Sequence, residues 1–109
     1  MKTTQEFLEL YDSNYHFAES DIRQILWNDF EDDENLKEVE ETQTDEGRWQ
    51  AYMNAIVAIN TNGSKRYFSI DWDRGLTEYQ ENGYDYQPIE VIPETKTITK
   101  TITIWKEVQ

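Results

Sequence analysis

Ten carboxylates crowd residues 29–46: Asp29, Glu31, Asp32, Asp33, Glu34, Glu38, Glu40, Glu41, Asp45 and Glu46. Lys37 is their one basic neighbour, so this stretch carries −9 of the chain's net −13. Oxygen ligands at such density call first for a cation test. An EF-hand loop needs acids at positions 1, 3 and 5, a glycine at 6 and a glutamate at 12. Counting from Asp29, Glu34 stands where the glycine belongs; counting from Asp71, Gly75 stands where an acid belongs. No metal site is assigned, and nothing in the sequence implies a cofactor. The absence of cysteine excludes thiolate catalysis, Cys-ligated zinc and disulfides together.

Acid–base chemistry near neutral pH would centre on His16, the single histidine, with Ser13 and Ser20 close in sequence. A histidine among aromatics, here Tyr15 and Phe17, is read first as a packing residue. Glu94 and Lys96 with Asp85 resemble the two acids and lysine that hold Mg²⁺ in nucleases. Short Glu-x-Lys strings are common in acidic chains, however, and an enzyme of this charge would repel its own substrate. Paired carboxylates of the glycosidase kind discriminate nothing where acids are so abundant. Gly75 and Asn82-Gly83 are isolated turn glycines, not a phosphate loop. The chain therefore reads as non-enzymatic.

The acids do carry a reading as a surface. Alternate side chains of an extended strand stand roughly 6.6 to 6.8 Å apart on one face, which places Glu38 and Glu40 in one row. Together with the cluster at Asp29, Glu31, Asp32, Asp33 and Glu34, and with Glu41, that row approximates a thin patch of phosphates. Direct binding to DNA, RNA or anionic lipid is disfavoured by the same field. Size, charge and the segment Gly75-Leu76-Thr77-Glu78-Tyr79-Gln80-Glu81-Asn82 resemble small acidic proteins encoded by bacteriophages and conjugative elements. The resemblance implies a DNA mimic of the antirestriction or anti-CRISPR kind, whose partner is a basic protein such as a nucleic-acid-binding enzyme. The rival expectation is an accessory or structural protein whose acidity serves only solubility. On the mimic reading, neutralising Asp32, Asp33 and Glu34 weakens partner binding and leaves the fold intact.

These residues need elements to position them. Thr3 and Glu6 make a capping box, and Phe7, Leu10 and Tyr11 follow at helical spacing, predicting a helix over 4–12. Ser20 suits the N-cap of a second helix whose Ile22, Ile25, Leu26 and Phe30 form one stripe, with Trp27 beside it. That helix should stop near Asn28, leaving the acids in a solvated loop.

From Leu36 onward the signals are those of β-structure. Asp45-Glu46-Gly47 and Asn62-Gly63 mark turns, bounding strands over Arg48–Asn60 and Lys65–Trp72. Tyr79, Tyr84 and Tyr86 fall in a loop with a short or edge strand. With Trp72 they either form a binding surface or close the core. Thr95–Val108 alternates throughout and reads as one strand: Ile98, Ile102, Ile104 and Val108 on one parity, Thr97, Thr99, Thr101, Thr103 and Trp105 on the other. Lys96 and Lys100 would guard it as an edge.

A chain of 109 residues holds one domain, 1–109. Its net charge leans toward disorder, but fifteen aromatic rings supply the apolar area that a core needs. The expected fold is α+β, with two N-terminal helices packed on one face of a mostly antiparallel, four- to five-stranded sheet. The longest apolar run, Ala55–Ile59, is far short of a membrane span. No apolar leader opens the sequence, so the cytoplasm is the expected location.

Overall fold

Thr3 opens the first helix: its hydroxyl accepts from the Glu6 amide at 3.2 Å, and α1 runs Thr4–Asp12. The computed structural model describes residues 1–77, 79–97 and 101–108, apart from the side chains of 95–97, 101 and 102. α2, Glu19–Leu26, begins two residues before the start expected from Ser20. With Ser20 as N-cap, the third helical residue would be Arg23, which has no acceptor to offer. With Ala18 it is Asp21, whose carboxylate reaches back to the Ala18 amide at 3.0 Å, one half of a capping box.

Both helices end alike. Asn14 and Asn28 adopt left-handed φ values of 60° and 52°, a conformation asparagine tolerates. The Asn28 side chain donates to the carbonyls of Asp33 and Leu36, so the chain leaves α2 before the acids begin. Phe30 is therefore not on the helix, although its ring completes the same buried cluster from the loop. Residues Asp33–Asn35 form a single 3₁₀ turn leading into the sheet.

The sheet is an antiparallel meander of β1 (Leu36–Glu46), β2 (Gln50–Thr61), β3 (Ser64–Gly75), β4 (Ile89–Thr97) and β5 (Thr101–Glu107), in that order. The β2–β3 ladder runs unbroken from Gln50 opposite Gly75 to Thr61 opposite Ser64. Asn62 and Gly63 close it with φ of 51° and 79°, the paired positive values that a type I′ turn requires. The fold is α+β. Val57, Ile59, Phe68 and Ile70 form the floor of a core roofed by Phe7, Leu8, Phe17, Ile22 and Ile25. Phe7 meets Phe68 edge-on, with ring centres 4.9 Å apart.

The last segment is two strands, not one. β4 turns back into β5 with Thr97 opposite Thr101, and Ile98, Thr99 and Lys100 lie outside the described residues. Alternation could not reveal the reversal. Partners in this ladder have numbers of the same parity, such as Glu94 and Ile104 or Pro93 and Trp105, so the period-2 pattern passes through the turn unchanged. No Gly, Pro or Asn marks the reversal either.

The tyrosine segment divides between the two roles left open for it. Tyr84 is buried and stacks on Trp72 at 6.0 Å, whereas Tyr79 and Tyr86 are exposed. The short strand expected there is one isolated bridge, Asp73 to Gly83.

Candidate functional site

β1 is an edge strand whose residues 37–46 are all exposed, so the acidic stretch is borne on the rim of the sheet. Eleven residues of strand span about 36 Å, close to one turn of B-DNA. Asp29, Glu31, Asp33 and Glu34 are exposed on the loop that precedes it. Among the described residues, the ion pairs Arg66–Asp12, Arg66–Glu90 and Lys106–Glu94 all lie away from this rim.

The single row of carboxylates expected at Glu38 and Glu40 does not form. Glu38 lies opposite Val57 and Glu40 opposite Ile56, consecutive residues of β2, because a bulge at Val39 inserts one residue into β1. An extra residue reverses facing. Glu38 therefore shares the helix side of the sheet with Leu36, while Glu40 turns to the opposite side. A second register shift, between Gln43 and Asp45, repeats the effect. The rim presents acids on both faces, which suits an edge gripped from outside better than a flat phosphate row.

Asp32 is not part of a freely solvated cluster. Its carboxylate accepts from the Thr4 amide at 2.9 Å, the Thr4 hydroxyl at 2.5 Å and the Asn35 side chain at 3.0 Å. Thr4 is fully buried, so Asp32 ties the first turn of α1 to the 3₁₀ turn. Desolvation pushes the Asp32 pKa upward, but the hydrogen bonds from Thr4 and Asn35 outweigh it and hold the carboxyl below the usual range. Neutralising Asp32 with Asp33 and Glu34 therefore alters a hydrogen-bonded carboxylate of the fold as well as surface charge.

Glu40 has a partner that sequence reasoning missed. The Trp105 indole N–H donates to its carboxylate at 2.6 Å, joining the two edge strands, 65 residues apart, across the side of the sheet away from the helices. Trp105 packs on Tyr67 at 5.1 Å, and Ile56 and Ala58 are 2% and 4% exposed on the same side. The sheet is thus curled. Its concave side holds a cleft of about 760 Å³ whose lining includes Lys37, Ala58, Lys65, Tyr67, Pro93 and Trp105. The apolar parity of Ile56 and Ala58, opposite to that of Val57 and Ile59, was the one sequence signal for a second buried face.

Among the described residues the remaining constellations are not brought together, and the Lys96 side chain lies outside them. His16 is exposed rather than packed in the core, and the Ser13 hydroxyl is spent on the Glu9 carbonyl. Glu94 pairs with Lys106, while Asp85 sits exposed in the tyrosine loop. Among the described residues no group of three His, Asp or Glu is placed to hold a metal ion. Tyr86 approaches the buried Asp73 at 3.4 and 3.5 Å, longer than a normal O–H···O bond. The negative charge of Asp73, followed by burial, raises the tyrosine's pKa. Among the described residues no helix is long and apolar enough to cross a membrane. Compared with family models, curated proteins and solved structures, the chain matches none.

Unrelieved repulsion along the rim has a measurable consequence. Like charges about 6 Å apart repel by roughly 0.7 kcal/mol in water, and salt screens them over about 8 Å at physiological strength. The melting temperature should rise between low and physiological NaCl. A flat or falling curve in thermal denaturation would mean that the acids are already neutralised.

Proposed function

We propose that the chain is a non-enzymatic, cytoplasmic binding module whose acidic β1 edge engages the basic surface of a protein that itself grips nucleic acid. One observation carries this reading: an exposed edge about one DNA turn long bears carboxylates on both faces and meets none of the chain's described ion pairs. Such a rim raises a local negative potential that steers a basic groove toward it. The mimicry lies in charge density and length, not in a copied phosphate spacing.

A second reading rests on the same strand's position. Edge strands must be kept from pairing with other chains, and charge with bulges is a common means. On that reading the acids guard the edge and bind nothing.

The variant Glu38→Gln, Glu40→Gln, Glu41→Gln separates the two. Glutamine at position 40 still accepts from Trp105, so the curl persists. Capture of basic nucleic-acid-binding proteins on the immobilised chain should be displaced by duplex DNA. The triple variant should weaken capture about tenfold, roughly 0.5 kcal/mol for each of three rim charges. A matched triple on exposed Glu9, Glu19 and Glu81 should change it little. Equal weakening by both triples, or capture indifferent to duplex DNA, would overturn the proposal. Self-association of the β1 triple without any lost partner would favour edge protection.

A further inference from the structure

On the helix side of the sheet, beside the acidic rim, Leu26, Trp27, Glu41, Trp72 and Tyr84 enclose a notch of about 70 Å³. Four elements build it. Trp27 caps the C-terminus of α2, Glu41 comes from β1, Trp72 from β3, and Tyr84 from the loop following the Asp73–Gly83 bridge. At roughly 30 Å³ per water, the notch has room for about two waters or one side-chain head group, and none for a free ligand of metabolite size.

Its walls are unusual for a small acidic domain. Trp27 is 66% exposed, more than the half-exposed Trp49. Trp72 and Tyr84 lie nearly parallel, 14° apart, and present flat aromatic surface. Glu41 supplies the one carboxylate of the notch. The chain already uses Trp27 for a cation: the Arg23 guanidinium lies 5.4 Å from the centre of its ring, yet Arg23 is not among the residues lining the notch.

We propose that the notch receives an arginine side chain of the partner engaged by the acidic edge. Aromatic faces with a carboxylate attract a cation by both the ring quadrupole and the charge. A guanidinium fits best, because it is planar, stacks on aromatic rings and sheds water more readily than an ammonium. Buried aromatic anchors beside a charged rim are where interface energy concentrates. The identity of the partner rests on the acidic-edge reading, whereas the notch's affinity for a guanidinium does not.

The test uses the whole chain labelled with ¹⁵N at its tryptophan indoles and titrated with the tripeptide Gly-Arg-Gly. Its control is Gly-citrulline-Gly, which keeps the planar shape and loses the charge. The arginine peptide should move the Trp27 and Trp72 indole signals saturably in the millimolar range, while those of Trp49 and Trp105 stay in place. Glu41→Gln should weaken binding about fivefold, and Trp27→Ala, at an exposed position, should abolish it with the other indole signals unchanged. The double variant Glu38→Gln, Glu40→Gln should bind the tripeptide as the parent does even where it captures less partner. Equal titration by the citrulline peptide, shifts spread over all four indoles, or no effect of Glu41→Gln would overturn the notch and leave the edge reading standing. Loss of partner capture by duplex competition alone bears on the edge and leaves the notch standing.

Discussion

Replacing Arg66 with methionine should destabilise the fold more than any surface substitution considered above, by about 2 to 4 kcal/mol, somewhat under the cost of breaking a fully buried pair. Arg66 ties α1 to the sheet through its charge. Its Nε and one terminal nitrogen hold Glu90 of β4 at 2.6 and 3.1 Å, and its terminal nitrogens hold Asp12 of α1 at 3.0 and 2.8 Å. Asp12 closes a helix whose dipole disfavours an acid at that end, so the guanidinium also relieves a local conflict. Methionine keeps the unbranched apolar stem, but it loses the guanidinium, whose carbon lies 5.5 Å from the centre of the Phe68 ring, and strands Glu90, whose side chain is only 16% exposed. Adding Glu90→Gln should restore part of the loss, because the stranded charge is much of the cost. Urea unfolding of the single and double variants measures both. A double variant no more stable than the single would show that packing, not charge, is at stake.

The pH dependence gives a separate check of the same tie. The hydrogen bond from Arg66 lowers the Asp12 pKa; desolvation opposes this, and the guanidinium charge assists it. A carboxyl depressed in the folded state contributes stability above its unfolded pKa, and that contribution disappears as pH falls through the folded value. Arg66 itself is raised and stays charged throughout. The gap between parent and Arg66→Met should therefore narrow in acid.

Asp32→Ala should cost about 2 to 3 kcal/mol, the usual worth of hydrogen bonds to a charged acceptor whose buried donors are then left unmade. Thr4 is fully buried, so its amide and hydroxyl find no water to replace the carboxylate. Asp33→Ala, a residue away and exposed, should fall within about 0.5 kcal/mol of the parent, as surface changes do. The sign with pH matches Asp12: stability held by Asp32 is present above the ordinary carboxylate range and lost as acid protonates it in the folded chain. Equal melting temperatures for the two variants would remove Asp32 from the fold's framework and return it to the acidic surface.

What the sequence determined by itself was local. The Thr3 cap, the asparagine exit from α2 and the Asn62-Gly63 hairpin are each set by a few consecutive residues, and the Phe68 and Ile70 part of the core stripe follows from periodicity alone. The placement of charge on one segment was equally legible, since composition is read without a fold. Register was not. A one-residue bulge at Val39 reverses which face Glu40 addresses, and no residue type announces it.

Nor could spacing foretell contacts between distant segments. Asp32 meets Thr4 across 28 residues, Arg66 meets Asp12 across 54, and Trp105 meets Glu40 across 65. Each depends on how far the sheet curls and where the helices settle, properties of the whole set of packed side chains. So the tertiary structure alone decided which acids hold the fold together and which are left facing outward, because a carboxylate's role is set by the donors brought within about 3 Å of it, and those donors come from elsewhere in the chain.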